Sequence, residues 1–230
     1  MITCRVCGMQ HDDLAVVCSS CGGYLQSKVD SLNLFETLWQ LVESPGLAFK
    51  RIVLSRHKNY LILLSGLVGI NVVFAVFWLR NLGGQFSNLL TLLGAGILIG
   101  IPVGVAFVSL LSVVISLGIR VLGRAVSVRN VAAVVAYAGM PLVLALMIIF
   151  PLEIAVFGMD FFGNNPPPMV INPLAYWALL GFDSMALLWS LILLYRGVSA
   201  LTGFGQRKAL MATVLAVAFL GAGAFAAKTL

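Results

Sequence analysis

The chain has 230 residues, 61% of them hydrophobic and only 10% charged, with a mean hydropathy of +1.06. So few charged side chains cannot cover a water-soluble core, and the apolar residues fall in blocks of roughly 20 or more, the length that crosses about 30 Å of hydrocarbon. The formal charge of +6 does not point to nucleic acid: the basic residues stand at the ends of the apolar blocks, where topology and anionic headgroups account for them.

Residues 1–24 contain all four cysteines, as Cys4-Arg-Val-Cys7-Gly8 and Cys18-Ser-Ser-Cys21-Gly22. No basic stretch followed by an apolar run marks a cleavable signal here. The C-x-x-C spacing turns both thiolates of a pair onto one ion, and the glycine lets the backbone bend so that amides face the sulfurs. Cys4, Cys7, Cys18 and Cys21 are therefore read as the ligands of a structural zinc in a minimal zinc ribbon. Four thiolates close the shell and leave no position for a substrate water. Two disulfides or four free thiols are the alternatives, and the cytosolic placement argued below disfavours disulfides. His11, between the pairs, is a spare ligand that four cysteines make unnecessary. The module cannot build its own core, so the ion would supply most of its folding free energy. Its expected role is docking to a cytoplasmic protein partner.

Residues 25–31 read as a linker and 32–58 as interfacial amphipathic helices. Leu34, Phe35, Leu38, Trp39, Leu41 and Val42 form a helical stripe that would lie in the membrane interface with Trp39 at headgroup depth. The alternative is a helix packed on the protein's own loops. Ser44-Pro45 starts a second helix, with Pro at the first helical position, and Ala48, Phe49, Ile52 and Val53 share one face. Lys50, Arg51, Arg56 and Lys58 are expected to meet lipid headgroups, and His57 reads as an interfacial polar residue.

Residues 59–230 read as a five-span domain, so the expected fold is an all-α integral membrane protein, a five-helix transmembrane bundle. The spans fall at about 60–79, 89–119, 131–157, 174–195 and 209–227. Pro102 predicts a kink in the second, where Gly96, Gly100 and Gly104 recur at four-residue spacing and would let another backbone approach. Pro141 and Pro151 interrupt the third. The connection at 159–173, with its triple proline, is expected to be an extended, stiff loop.

Charge sets the orientation. On alternate sides of five spans, one side holds Arg5, Lys28, Lys50, Arg51, Arg56, Lys58, Arg120, Arg124, Arg129, Arg196, Arg207 and Lys208, and the other only Arg80 and Lys228. The positive-inside rule then places the N-terminus in the cytoplasm and the C-terminus outside, in the inner (cytoplasmic) membrane.

The entry Leu38-Trp-Gln-Leu-Val-Glu-Ser-Pro-Gly-Leu-Ala-Phe-Lys-Arg-Ile52, followed by five spans, resembles the Yip-type (Rab-interacting protein) membrane domain, whose prokaryotic members carry a similar SP-x-x-AF-x-x-I motif. The turn Gly203-Phe-Gly-Gln-Arg-Lys-Ala209 is similar to the family's basic linker before its last span. The resemblance runs from about Leu32 to the C-terminus. It implies a cytosolic N-terminus and an outside C-terminus, and the eukaryotic members it resembles act in vesicle traffic through small GTPases and membrane shaping. The ribbon and the span lengths look bacterial.

No phosphate loop, zinc-protease helix or serine elbow is present, so the sequence points away from an enzyme. Asp183 falls near the middle of the fourth span and is the candidate intramembrane polar site. Its bland role is a hydrogen bond through Ser184, Ser190 or Asn71 that ties the bundle. Glu153 and Asp160 are expected near the outer face. Two functions follow: a scaffold organising lipids or partner proteins, with homo-oligomers an option, or a small transporter, channel or lipid-moving protein with a polar path around Asp183.

Overall fold

The computed structural model describes residues 2–4, 6–12, 14–25 and 32–203, together with Leu210, Met211, Thr213, Val214, Ala218 and Gly221, which are helical. Two short strands, β1 (Ile2–Thr3) and β2 (Gln10–His11), pair antiparallel with Ile2 opposite His11. The remaining elements are helices: α1 (Leu34–Glu43), α2 (Pro45–Leu54), α3 (Leu61–Leu79), α4 (Leu89–Val121), α5 (Val128–Ala138), α6 (Met140–Phe157), α7 (Pro168–Ile171) and α8 (Pro173–Thr202). Among the described residues, four stretches are long and apolar enough to cross a membrane: Leu61–Leu79, Leu89–Val121, Val128–Phe162 and Pro173–Thr202. The fifth expected span, 209–227, lies outside the described residues apart from the isolated positions named above.

The helices pass up and down. The 3₁₀ turns Leu82–Gln85 and Gly158–Phe162 meet at one end. The links into α3 and α5 and the end of α8 share the other, with most of the described basic residues. This second end is called the basic end below.

Helix α3 lies against α4 at backbone contact. A Cβ added at Gly69 would overlap the Gly100 carbonyl and Gly104 Cα, and one at Gly100 would meet Ile70 Cα at 2.5 Å. The four-residue glycine spacing thus does what the sequence suggested: in hydrocarbon, where burying apolar surface gains little, close approach supplies the attraction. Asn88 starts α4 with a capping box, its Oδ1 accepting the Thr91 N–H at 2.9 Å. At 33 residues, α4 is about 50 Å long, well beyond the hydrocarbon thickness.

The third span differs from the sequence reading. It breaks at Gly139, where a Cβ would press on Val68 Cγ2 at 2.6 Å, and Pro141 sits in the first turn of α6, where no N–H is needed. Every residue of α5 from Val131 to Ala138 is buried, because α2, α3, α4 and α8 all pack around it.

Helix α2 is a second correction. Ala48, Phe49 and Ile52 are fully buried against α5 and α8, so its apolar face belongs to the bundle and does not rest on lipid. Gly197 makes the space: a Cβ there would stand 3.1 Å from the Phe49 ring. Helix α1 divides its stripe. Leu34, Leu38 and Leu41 turn toward the bundle, whereas Phe35 and Trp39 remain 82% and 67% exposed.

The proline-rich connection also departs from an extended loop. Phe161 and Phe162 fold inward beside Phe74, Phe150 and Phe157, Pro168 opens the short α7, and Asn172 caps α8 by accepting the Ala175 N–H at 3.1 Å. Proline suits the first turn of a helix, where no N–H is needed, so the triplet starts a helix at its last member.

Gly69→Leu is expected to lower stability by about 3 kcal/mol or more, the upper end of overpacking costs, because the obstacle is backbone. Gly94→Ala, where an added Cβ meets nothing within 4 Å, should leave stability unchanged or raise it by up to about 1 kcal/mol. Thermal unfolding of the purified variants in detergent checks both.

Candidate functional site

The four cysteines come together as two matched knuckles. In each, the glycine after the second cysteine has a left-handed backbone, φ +72° at both Gly8 and Gly22, and donates its N–H to the first cysteine's carbonyl, Gly8 to Cys4 at 2.9 Å and Gly22 to Cys18 at 3.0 Å. The sulfurs of Cys4 and Cys21 stand 3.6 Å apart and those of Cys7 and Cys18 3.5 Å, with all four within 4.8 Å of one another. Sulfurs around zinc, at about 2.3 Å from the metal, lie about 3.8 Å apart. The donor set therefore fits a tetrahedral zinc.

The electrostatics agree. Backbone N–H groups of Cys7 and Val6 hold the Cys4 thiol down to about 6, and that of Cys21 lowers Cys18. Cys21 goes the other way. The Gly23 N–H favours its thiolate, yet the side chains of Cys7 and Cys18 drive it up to about 12. Crowded thiols resist collective ionisation, and a dication supplies the missing charge. His11 is placed beside this set rather than in it, with Nε2 3.1 Å from Cys18 Sγ, the position of a hydrogen bond that orients a ligand sulfur.

The four expected headgroup contacts separate. Arg51 pairs with Glu36, joining α2 to α1. Lys50 is half-buried on α2 and Arg56 is exposed. Lys58 corrects the sequence reading: it is buried, and its ammonium donates to the carbonyls of Ile52 and Val53 and to Ser55 Oγ. It caps the C-terminus of α2, satisfying carbonyls that a helix end leaves open. Burial, and after it the charge of Arg129, hold Lys58 down to about 8. The ribbon touches the same end of the molecule, where Asp12 pairs with Arg124, whose guanidinium also donates to the Thr202 carbonyl at the end of α8.

Within the spans, Asp183 has a different partner from any expected. Ser184 Oγ donates to its own helix at Leu180 O, 2.7 Å away, Asn71 Nδ2 donates to Leu142 O across α3 and α6 at 3.2 Å, and Ser190 Oγ is buried with no partner among the described residues. The carboxyl within hydrogen-bonding reach of Asp183 is that of Glu153, which is only 3% exposed. Depth counting misses this pair, because Glu153 lies near the end of α6 and Asp183 ten residues into α8. The usable signal was weaker: both are acids inside apolar helices that a short connection folds antiparallel.

These features define a class, a multi-pass α-helical membrane protein whose only cluster of metal-ligand type among the described residues stands outside the spans. A family model described as Yip1 domain matches residues 39–227, and the chain belongs to that family. No curated protein and no solved structure matches it.

Purified protein should carry zinc with X-ray absorption showing four sulfurs at about 2.3 Å, and Cys18→Ser should lose the metal while the spans stay folded, read by metal analysis and circular dichroism. Lys58 gives a pH dependence. Its folded value, about 8, is below the ordinary 10.5, so the unfolded chain keeps the proton longer and stability rises as pH climbs from about 8 to 10.5. Unfolding midpoints across that window should rise more for the wild type than for Lys58→Gln.

Proposed function

We propose that this Yip1-domain protein is a non-enzymatic membrane scaffold. It threads the inner (cytoplasmic) membrane five times, with its N-terminus and zinc-loaded ribbon in the cytoplasm and its C-terminus outside, and it organises lipid or partner proteins at the cytoplasmic face. The observation that carries the reading is where the ribbon docks: Asp12 joins it to Arg124 at the basic end, and α1, whose Phe35 and Trp39 are exposed, is tied by Arg51 to α2, which leads to the same end. Three elements suited to recognition (a rigid small module, an apolar helix face and positive charge) thus gather on the side that the charge bias assigns to the cytoplasm. Structural rather than catalytic zinc fits the same role.

A transporter is the second reading, favoured by the meeting of Glu153 and Asp183 between α6 and α8. Acidic residues inside spans are costly and often mark ion or proton pathways.

Reconstituted vesicles separate the two. The scaffold reading expects proton flux and lipid scrambling no faster than in empty vesicles. Wild-type flux that Asp183→Asn or Glu153→Gln abolishes, with folding retained, would establish transport instead. In sealed cells, an impermeant thiol reagent added outside should leave the ribbon unlabelled. Pull-downs from native membranes should lose bound protein when Cys7 and Cys21 are both changed to Ser.

A further inference from the structure

At the basic end, a cleft of about 470 Å³ opens between the ribbon and the bundle. Asp12 and Leu14 of the ribbon form one wall, Arg56 after α2 another, and the segment from Arg124 to Ser127 with Asn130 the third. Its size is that of a small-molecule site. The walls are mainly hydrogen-bonding and cationic rather than apolar. Arg56 is exposed and in no ion pair among the described residues, and the Ser127 hydroxyl, at the start of α5, makes no capping hydrogen bond to its helix. Arg129 lies close enough to lower the basicity of Lys58, which adds positive charge nearby. Among the described residues, Asp12 is the one acid lining the cleft, and its carboxylate sits on Arg124.

That carboxylate reads as an internal anion standing where an external one would bind. The cleft lies level with the cytoplasmic ends of α3, α4, α5 and α8, which is headgroup depth for helices that cross about 30 Å of hydrocarbon. Guanidinium forks, a side-chain amide and a hydroxyl are the donors that recognise phosphate oxygens. We propose that this cleft binds a phosphate-bearing ligand through Arg56, Arg124 and Asn130, and that the ribbon's Asp12 holds Arg124 until the ligand's phosphate displaces it. The ribbon is then the movable wall of the site, and filling the site frees it to engage a partner. The site rests on the scaffold reading in placing this end at the cytoplasmic headgroups, and it gives that scaffold a ligand class and a switch.

The test uses the full zinc-loaded chain in phosphatidylcholine nanodiscs, titrated with phosphatidic acid, with further phosphatidylcholine, and with inorganic phosphate. Phosphatidic acid should bind at least about tenfold more tightly than phosphatidylcholine, and Arg56→Gln should remove about tenfold, the scale of one hydrogen bond to a charged group. Asp12→Asn should tighten binding severalfold, since it vacates Arg124 whether or not the ribbon stays docked. Arg51→Gln, whose guanidinium is spent on Glu36, should change nothing. Competition by millimolar inorganic phosphate would assign the site to a soluble phosphate group, and its absence to a lipid headgroup; both keep the proposed chemistry. Equal weakening by Arg56→Gln and Arg51→Gln would reduce the effect to diffuse surface charge and overturn the site. Unchanged or weaker binding by Asp12→Asn would overturn the displacement. If either occurs while ribbon-dependent protein capture persists, the scaffold reading survives; loss of that capture alone would count against the scaffold and not the cleft.

Discussion

Helices immersed in lipid gain little by hiding leucine from a solvent that is itself apolar, so this bundle depends on how closely its backbones can approach. The seam between α3 and α4 meets that condition through Gly69, Gly100 and Gly104, each placed where any side chain would collide with backbone. Closeness there has consequences elsewhere. It brings Val68 against Gly139, where the third span breaks, and the break releases α5 to run through the middle of the basic end with every residue from Val131 to Ala138 buried. Phe49 of α2 and Val134 of α5 then converge on Gly197 of α8, so a second glycine contact completes what the first begins.

Polar groups in such an interior must find partners inside the protein. Most do so within their own helix: Ser65, Ser112 and Thr202 each donate to the carbonyl one turn back. Asn71 is different, because its amide reaches across to Leu142 and ties α3 to α6. Glu153 and Asp183 also join two helices, α6 and α8, and no other described contact links acids in the spans. Whether that pair moves a proton or only holds the helices together is the point on which the scaffold and transporter readings part.

At the basic end the chemistry changes character. Charges here are neither scattered nor all turned to lipid: Arg51 is committed to Glu36, Lys58 to the last carbonyls of α2, and Arg124 to Asp12 and Thr202. Arg56 is left open beside the cleft. Through the Asp12–Arg124 pair the four-cysteine module sits against the bundle, beside the side chains best suited to phosphate.

The sequence by itself determined the class of protein, the limits of α3 within a residue or two, the grouping of the four cysteines and the glycine seam. Each of these rests on local composition or on spacing along a single element, which survives whatever the rest of the chain does. Tertiary structure alone decided that α2 packs inward, that the stripe of α1 serves two faces, that Lys58 caps a helix, that Glu153 answers Asp183 and that Asp12 reaches Arg124. An apolar stripe looks the same whether a membrane or another helix covers it, and a basic residue at a span end looks the same whether a headgroup or a carbonyl receives it. Those outcomes depend on which surfaces arrive opposite one another, and the chain settles that only when its helices come together.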